Sequence, residues 1–221
     1  MAAFDGAFER GCDGLEFDVR RTISGECVVC HNPRAGKFAV SRATRDQLKT
    51  LPSLEDVIRG YGHRGFLDIE LKVRGLETAV LACLRQHPPE REYVISSFLP
   101  EVVLELKARS AVAPVGIICG KPSQLVAWRK LPVEYVIVNQ SLVTRKLVQL
   151  VHGAARKIFV WTVNTRRAML KFSGWGVDGI ISDNAELLVD ALDGREPANP
   201  VSERKLRSAM RISSRLRLIA V

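Results

Sequence analysis

The sequence predicts an α/β fold, a (β/α)8 barrel of the TIM-barrel kind lacking its first strand, and three observations carry that prediction. Seven short apolar segments alternate with helical ones, the pattern of a parallel sheet covered by helices. No Gly-rich phosphate loop follows any of them, which counts against the alternative of an open, doubly wound sheet. The chain also opens on a helix, so the repeat starts one strand late.

Residues 2–10 make the first helix: Phe4 and Phe8 stand one turn apart, Ala3 and Ala7 lie beside them, and Gly11 suits the C-terminal cap. On the strand that follows, 14–19, Leu15, Phe17 and Val19 face one way and Glu16 and Asp18 the other. A turn at Gly25 leads into the short strand 27–30, which makes a small β-hairpin, and then into a polar, basic loop. Ser53, with Asp56 three residues on, caps a helix that stops near Gly60. Strands at 67–71, 93–97, 115–119, 135–138, 157–163 and 177–182 then alternate with helices at 76–86, 100–109, 123–130, 144–152, 165–173 and 184–192. Pro88 and Pro89 stop the first of these helices and Pro100 opens the second.

A chain of 221 residues, 47% hydrophobic and 26% charged, suits one soluble domain with one large core, here assigned to 1–194. Its apolar runs fall short of the roughly 20 residues a membrane span needs, and it opens on no signal core. A cytoplasmic protein is expected. Five cysteines, an odd number set mostly in apolar runs, act as small hydrophobes and fit a reducing compartment. The net charge of +9 is uneven, since the tail 195–221 holds seven Lys or Arg against two Glu. The body is therefore only mildly basic, which argues against a nucleic-acid partner. The tail is expected to be partly helical or disordered. Leu206, Met210, Ile212 and Leu216 among its arginines suit a basic amphipathic helix touching anionic lipid, although such tails are more often simply solvated. The oligomeric state is not legible.

A second charged strand, 67–72, sets Asp68, Glu70 and Lys72 on one face. Side by side, the two strands gather carboxylates that would repel and lose hydration, so a cation belongs among them. Oxygen ligands of this kind suit Mg²⁺ or Ca²⁺, with Glu16, Asp18 and Glu70 as the candidates. The bland alternative is structural ion pairing, with Asp68 and Lys72 as one local pair. His31, at the end of the hairpin strand, leaves from beside the carboxylates and suits proton transfer. Cys27-Val28-Val29-Cys30-His31 also spells the haem-attachment pattern, and a redox or haem protein is a minor alternative. Strand geometry opposes it, because residues three apart face opposite sides.

Taken in order, Gly11 to Arg20, Thr22, Val28-Val29-Cys30-His31, Leu54-Glu55-Asp56-Val57, Ile69-Glu70-Leu71-Lys72, Ser96-Ser97-Phe98, Trp161-Thr162-Val163-Asn164 and Val177 to Asp183 resemble the successive motifs of the glycerophosphodiester phosphodiesterase family. The likeness runs from about residue 2 to about residue 190. It implies a metal-dependent hydrolase that cleaves glycerophosphodiesters to sn-glycerol 3-phosphate and an alcohol, in lipid and glycerol metabolism. Glu16, Asp18 and Glu70 resemble its metal ligands, His31 one of two catalytic histidines, Lys72 a phosphate contact and Trp161 part of the pocket wall.

The family's first strand carries a His-Arg-Gly triplet followed by Glu-Asn-Thr, and neither precedes the 2–10 helix. His63-Arg64-Gly65 spells the triplet at the wrong end of the 67–71 strand, and Asn32 stands where the family commonly has Asp. The gap has three explanations: a start placed too far downstream, a truncated remnant without activity, or another segment filling it. The sequence favours the first two.

Overall fold

Eight parallel strands close on themselves in the computed structural model, which describes residues 1–192 and 216–221. Helix α1 (Ala2–Glu9) leads into β1 (Gly14–Arg21), whose far end pairs antiparallel with β2 (Cys27–Val29). Next come the two-residue strands β3 (Arg34–Ala35) and β4 (Phe38–Ala39), then α2 (Leu54–Tyr61). Ser53 and Asp56 form the expected reciprocal cap on α2. The barrel continues through β5 (Phe66–Leu71), β6 (Tyr93–Ser97), β7 (Val115–Cys119), β8 (Tyr135–Asn139), β9 (Lys157–Trp161) and β10 (Gly179–Ser182). Between them run α3 (Glu77–Gln86), α4 (Pro100–Arg109), α5 (Pro122–Ala127), α6 (Arg145–Gly153) and α7 (Arg166–Ser173), and α8 (Ala185–Leu192) follows β10.

The eighth place in the barrel is filled. Strand β11 (Arg217–Ala220), from the opposite end of the chain, lies between β10 and β1 and runs parallel to both. Ile219 is in register with Ile181 on one side and Gly14 on the other. Asp13 fastens it twice: its carboxylate accepts from the Leu218 N–H at 2.8 Å, and its own N–H donates to the Leu218 carbonyl at 2.8 Å. This corrects two expectations, that the barrel lacks a strand and that everything after residue 194 is a tail outside it. A segment from the other end of the chain stands in the gap, as the third explanation has it. The physical reason lies in Arg215-Leu216-Arg217-Leu218, whose alternation suits a strand as well as it suits a basic amphipathic segment. The remaining positions of that helix, Leu206, Met210 and Ile212, lie outside the described residues.

The strands bury both faces, as parallel strands under helices must. Leu15, Phe17, Leu67 and Ile69 point outward into the core shared with the helices. Inside the barrel, Phe66, Tyr135 and Phe159 meet with ring centroids 5.2 to 6.0 Å apart, and Ile137, Ile181 and Ile219 pack with them. Fully burying such a side chain contributes about 1.5–3 kcal/mol. Gly14 faces this interior, where a Cβ would lie 2.4 Å from the Phe66 carbonyl oxygen. The apolar filling sits toward the strands' N-terminal ends, which leaves the polar inward positions at the opposite mouth.

His63-Arg64-Gly65 lies before β5, at the N-terminal end, as the sequence places it. There Arg64 pairs with Asp5 at 2.7 Å and covers the Phe8 ring, locking α1 to the barrel floor.

Candidate active site

Parallel pairing of β1 with β5 sets Glu16 opposite Asp68 and Asp18 opposite Glu70. One ligand oxygen from each of Glu16, Asp18 and Glu70 falls within 4.8 Å of the others. Lys72, just past β5, places its Nζ 2.7 Å from Asp18 Oδ1 and 2.7 Å from Glu70 Oε1. These are short, charge-assisted contacts, and each carboxylate has lone pairs beyond the one facing Lys72. The local pair of Asp68 with Lys72 is not formed. Asp68 Oδ1 instead accepts from Ser96 Oγ at 2.6 Å, and its Oδ2 has no donor among the described residues.

One lysine against four carboxylates leaves the cluster short of positive charge. Burial, reinforced by the charges of Asp18, Asp68 and Glu70, pushes the Glu16 carboxyl well above its ordinary range. Burial likewise raises Asp68 to about 7, against the Ser96 hydrogen bond. Glu70 also stands at about 7, lifted by burial and by Asp18 while Lys72 pulls it down. Burial works against the Lys72 charge, but Glu70 and Asp18 outweigh it and raise that group. Hard oxygens, buried, undersatisfied and converging, fit a divalent cation of the Mg²⁺ or Ca²⁺ type.

Around the mouth stand groups from other strand ends. Trp161 closes β9, meets Phe98 edge to face at 5.5 Å, and has a buried indole N–H with no acceptor among the described residues. Lys72 Nζ lies 5.6 Å from the centre of the same Phe98 ring. Asn164 and Asp183 tie the loops after β9 and β10 together at 2.7 Å. His31 follows β2 and is exposed, one residue beyond the hydrogen bond from the Cys30 N–H to the Asp18 carbonyl. Arg20 holds that turn: its Nε donates to the carbonyls of Cys30 and His31 at 3.1 Å each, and its Nη2 to the His31 carbonyl at 2.8 Å. Sequence reasoning missed Arg20, whose acceptors are backbone atoms that no residue pattern reveals. Cys27 packs against the outer core and Cys30 Sγ contacts the Asn32 carbonyl at 3.2 Å; both are free thiols.

A closed parallel barrel with carboxylates and a lysine gathered at the C-terminal ends of its strands is the frame of a barrel enzyme. Comparison with known proteins narrows this. The sequence matches the Glycerophosphoryl diester phosphodiesterase family over residues 1–80 and 67–187. The chain belongs to that family, and so to the phosphoric diester hydrolases. It is 27% identical over 227 residues to a glycerophosphodiester phosphodiesterase of Caldanaerobacter subterraneus, covering 86% of this chain and 90% of the relative. A probable glycerophosphodiester phosphodiesterase 2 of Mycobacterium tuberculosis is 25% identical over 225 residues, covering 88% and 85%. Among solved structures, an Oleispira antarctica phosphodiesterase in complex with the product sn-glycerol-3-phosphate superposes with a TM-score of 0.77 at 22% identity, covering 87% of this chain and 89% of that one. The Thermotoga maritima glycerophosphodiester phosphodiesterase gives 0.73 at 23%, covering 86% and 89%. These two bear out the fold.

Proposed function

We propose that this protein hydrolyses glycerophosphodiesters to sn-glycerol 3-phosphate and an alcohol with a divalent cation, Mg²⁺ or Ca²⁺, held by Glu16, Asp18 and Glu70. The convergence of those three carboxylates within 4.8 Å carries the reading. When bound, the cation supplies Lewis-acid polarisation of the phosphoryl group. Lys72 adds a fixed positive charge that offsets the charge building on the phosphoryl oxygens. Trp161 walls the pocket and offers its indole N–H to an oxygen of the substrate. The bond from phosphorus to the alcohol oxygen breaks, an oxygen from water takes its place, and the alcohol leaves with a proton delivered by His31, which the proton lost by the water restores.

No helix among the described residues is long and apolar enough to cross a membrane. The free cysteines support a cytoplasmic setting, and a role in lipid and glycerol metabolism follows from the proposed products. The test is release of glycerol 3-phosphate from glycerophosphoglycerol. Turnover abolished by a chelator and restored by Mg²⁺ or Ca²⁺ is the expected result; turnover indifferent to chelation removes the metal from the reading. One observation favours a second reading, a non-catalytic barrel: residues 216–221, in the place of the family's first strand, include no histidine. Tight metal binding without turnover would select it.

A further inference from the structure

Beside His31, the β3–β4 turn and the segment carrying Gln47 and Thr50 border an open cavity of about 610 Å³, at which Arg34 and Lys37 are exposed. Its charged lining residues are Arg34 and Lys37, and no carboxylate among the described residues lines it. Neither cation belongs to an ion pair of the described residues. Arg34 spends one Nη2 hydrogen bond on the Lys37 carbonyl, 2.7 Å away, and keeps its other N–H groups. Sites for a quaternary ammonium set aromatic faces and negative charge around the cation. Here Phe38 is the one phenyl ring among the described lining residues, and the Lys37 ammonium already lies 5.3 Å from its centre. A trimethylammonium would meet two like charges and an occupied ring.

Resting on the phosphodiesterase reading, which puts the leaving alcohol at His31, we propose that this cavity receives that alcohol and selects one ending in an anion, a carboxylate or a second phosphate, over one ending in a quaternary ammonium. The fixed cations attract the first and repel the second, so specificity comes from both signs of the same charges.

The experiment compares four diesters of sn-glycerol 3-phosphate on the full chain saturated with metal, their alcohols being glycolate, glycerol phosphate, glycerol and choline. The expected kcat/KM for either anionic ester exceeds that for choline by about tenfold or more, with glycerol between them. The gap shrinks to about threefold or less in K37Q and in R34Q/K37Q, and in about 0.5 M salt. A preference for one anionic ester alone identifies which anion the cavity takes. A choline ester cleaved as well as the anionic ones, or a gap that both variants leave intact, overturns the proposal. If no ester is cleaved, the hydrolase reading fails by itself, and calorimetric binding of the same four compounds decides the cavity's preference. Tenfold tighter binding of the anionic pair, lost in K37Q, then upholds it; equal binding or none overturns it.

Discussion

Asp18 and Glu70 are register partners on adjacent parallel strands, and a single ammonium, that of Lys72, stands 2.7 Å from each. Because one positive charge serves a cluster of four acids, the two halves of this arrangement respond to substitution in opposite ways. Lys72→Met strands buried carboxylates and is expected to destabilise the metal-free protein by about 3–5 kcal/mol. Glu70→Gln removes one repelling charge while Asp18 still holds Lys72. It is expected to raise the metal-free melting temperature at pH 8 and to weaken metal binding by about tenfold or more. Denaturant and thermal unfolding with and without chelator check both. A merely structural set of ion pairs predicts loss of stability in each case.

The raised carboxylates fix the sign of the pH response. Their folded pKa values lie above the unfolded ones, so the stability tied to their protonated forms is full below the ordinary carboxylate range and lost as pH rises through about 7, where Asp68 and Glu70 titrate. The metal-free protein is expected to melt at progressively lower temperature from pH 5 to pH 8. Added Mg²⁺ or Ca²⁺ displaces those protons, so its stabilising effect grows over the same interval and calorimetry at pH 7 records proton release. A metal effect on melting that is equal at pH 5 and pH 8 would contradict this.

The acidic cluster was legible because it needs only the period of two within each strand, and types as unlike as Leu67, Asp68, Ile69 and Glu70 display it. Even the pairing of the two strands followed from the alternation of strand and helix. Two parts were not legible. The stretch between His31 and Pro52 read as a polar, basic loop, yet Val40, Ala43 and Leu48 are buried against Val28 in a small core of their own; their irregular spacing carries no period. Strand β11 was hidden more deeply. Its partners, Gly14 and Leu15, lie some two hundred residues away, and alternation within four residues says nothing of which edge will receive them.

Closure by β11 makes its own prediction. Ile219 is fully buried in the barrel interior, so Ile219→Ala is expected to cost about 2–4 kcal/mol. Deleting residues 216–221 would leave the facing edges of β1 and β10 unpaired, and such edges associate. The truncated chain is expected to melt earlier and to elute as higher oligomers in size-exclusion chromatography. Glu92, half-exposed, pairs with Arg217 at the strand's start, and as a surface ion pair its loss in Glu92→Gln should change the melting temperature little. A deletion that left the melting temperature intact would show that the barrel does not need its eighth strand.

The last prediction concerns Arg20, which in the proposed mechanism acts only through the backbone that carries His31. Its guanidinium spans the Cys30 and His31 carbonyls, and with His31 exposed these bonds are what fix the direction in which the imidazole leaves the hairpin. Arg20→Ala is expected to lower kcat about 10- to 100-fold, the scale of an ångström's misplacement, while KM and metal affinity stay within about twofold, since Glu16, Asp18 and Glu70 keep their places on β1 and β5. Lys at the same position restores one donor of the fork and so recovers part of the rate. The decisive measurement is the double variant. In a His31→Ala background the further change Arg20→Ala should cost nothing more, because the group it positions is gone. A full additional loss would mean that Arg20 touches the substrate itself.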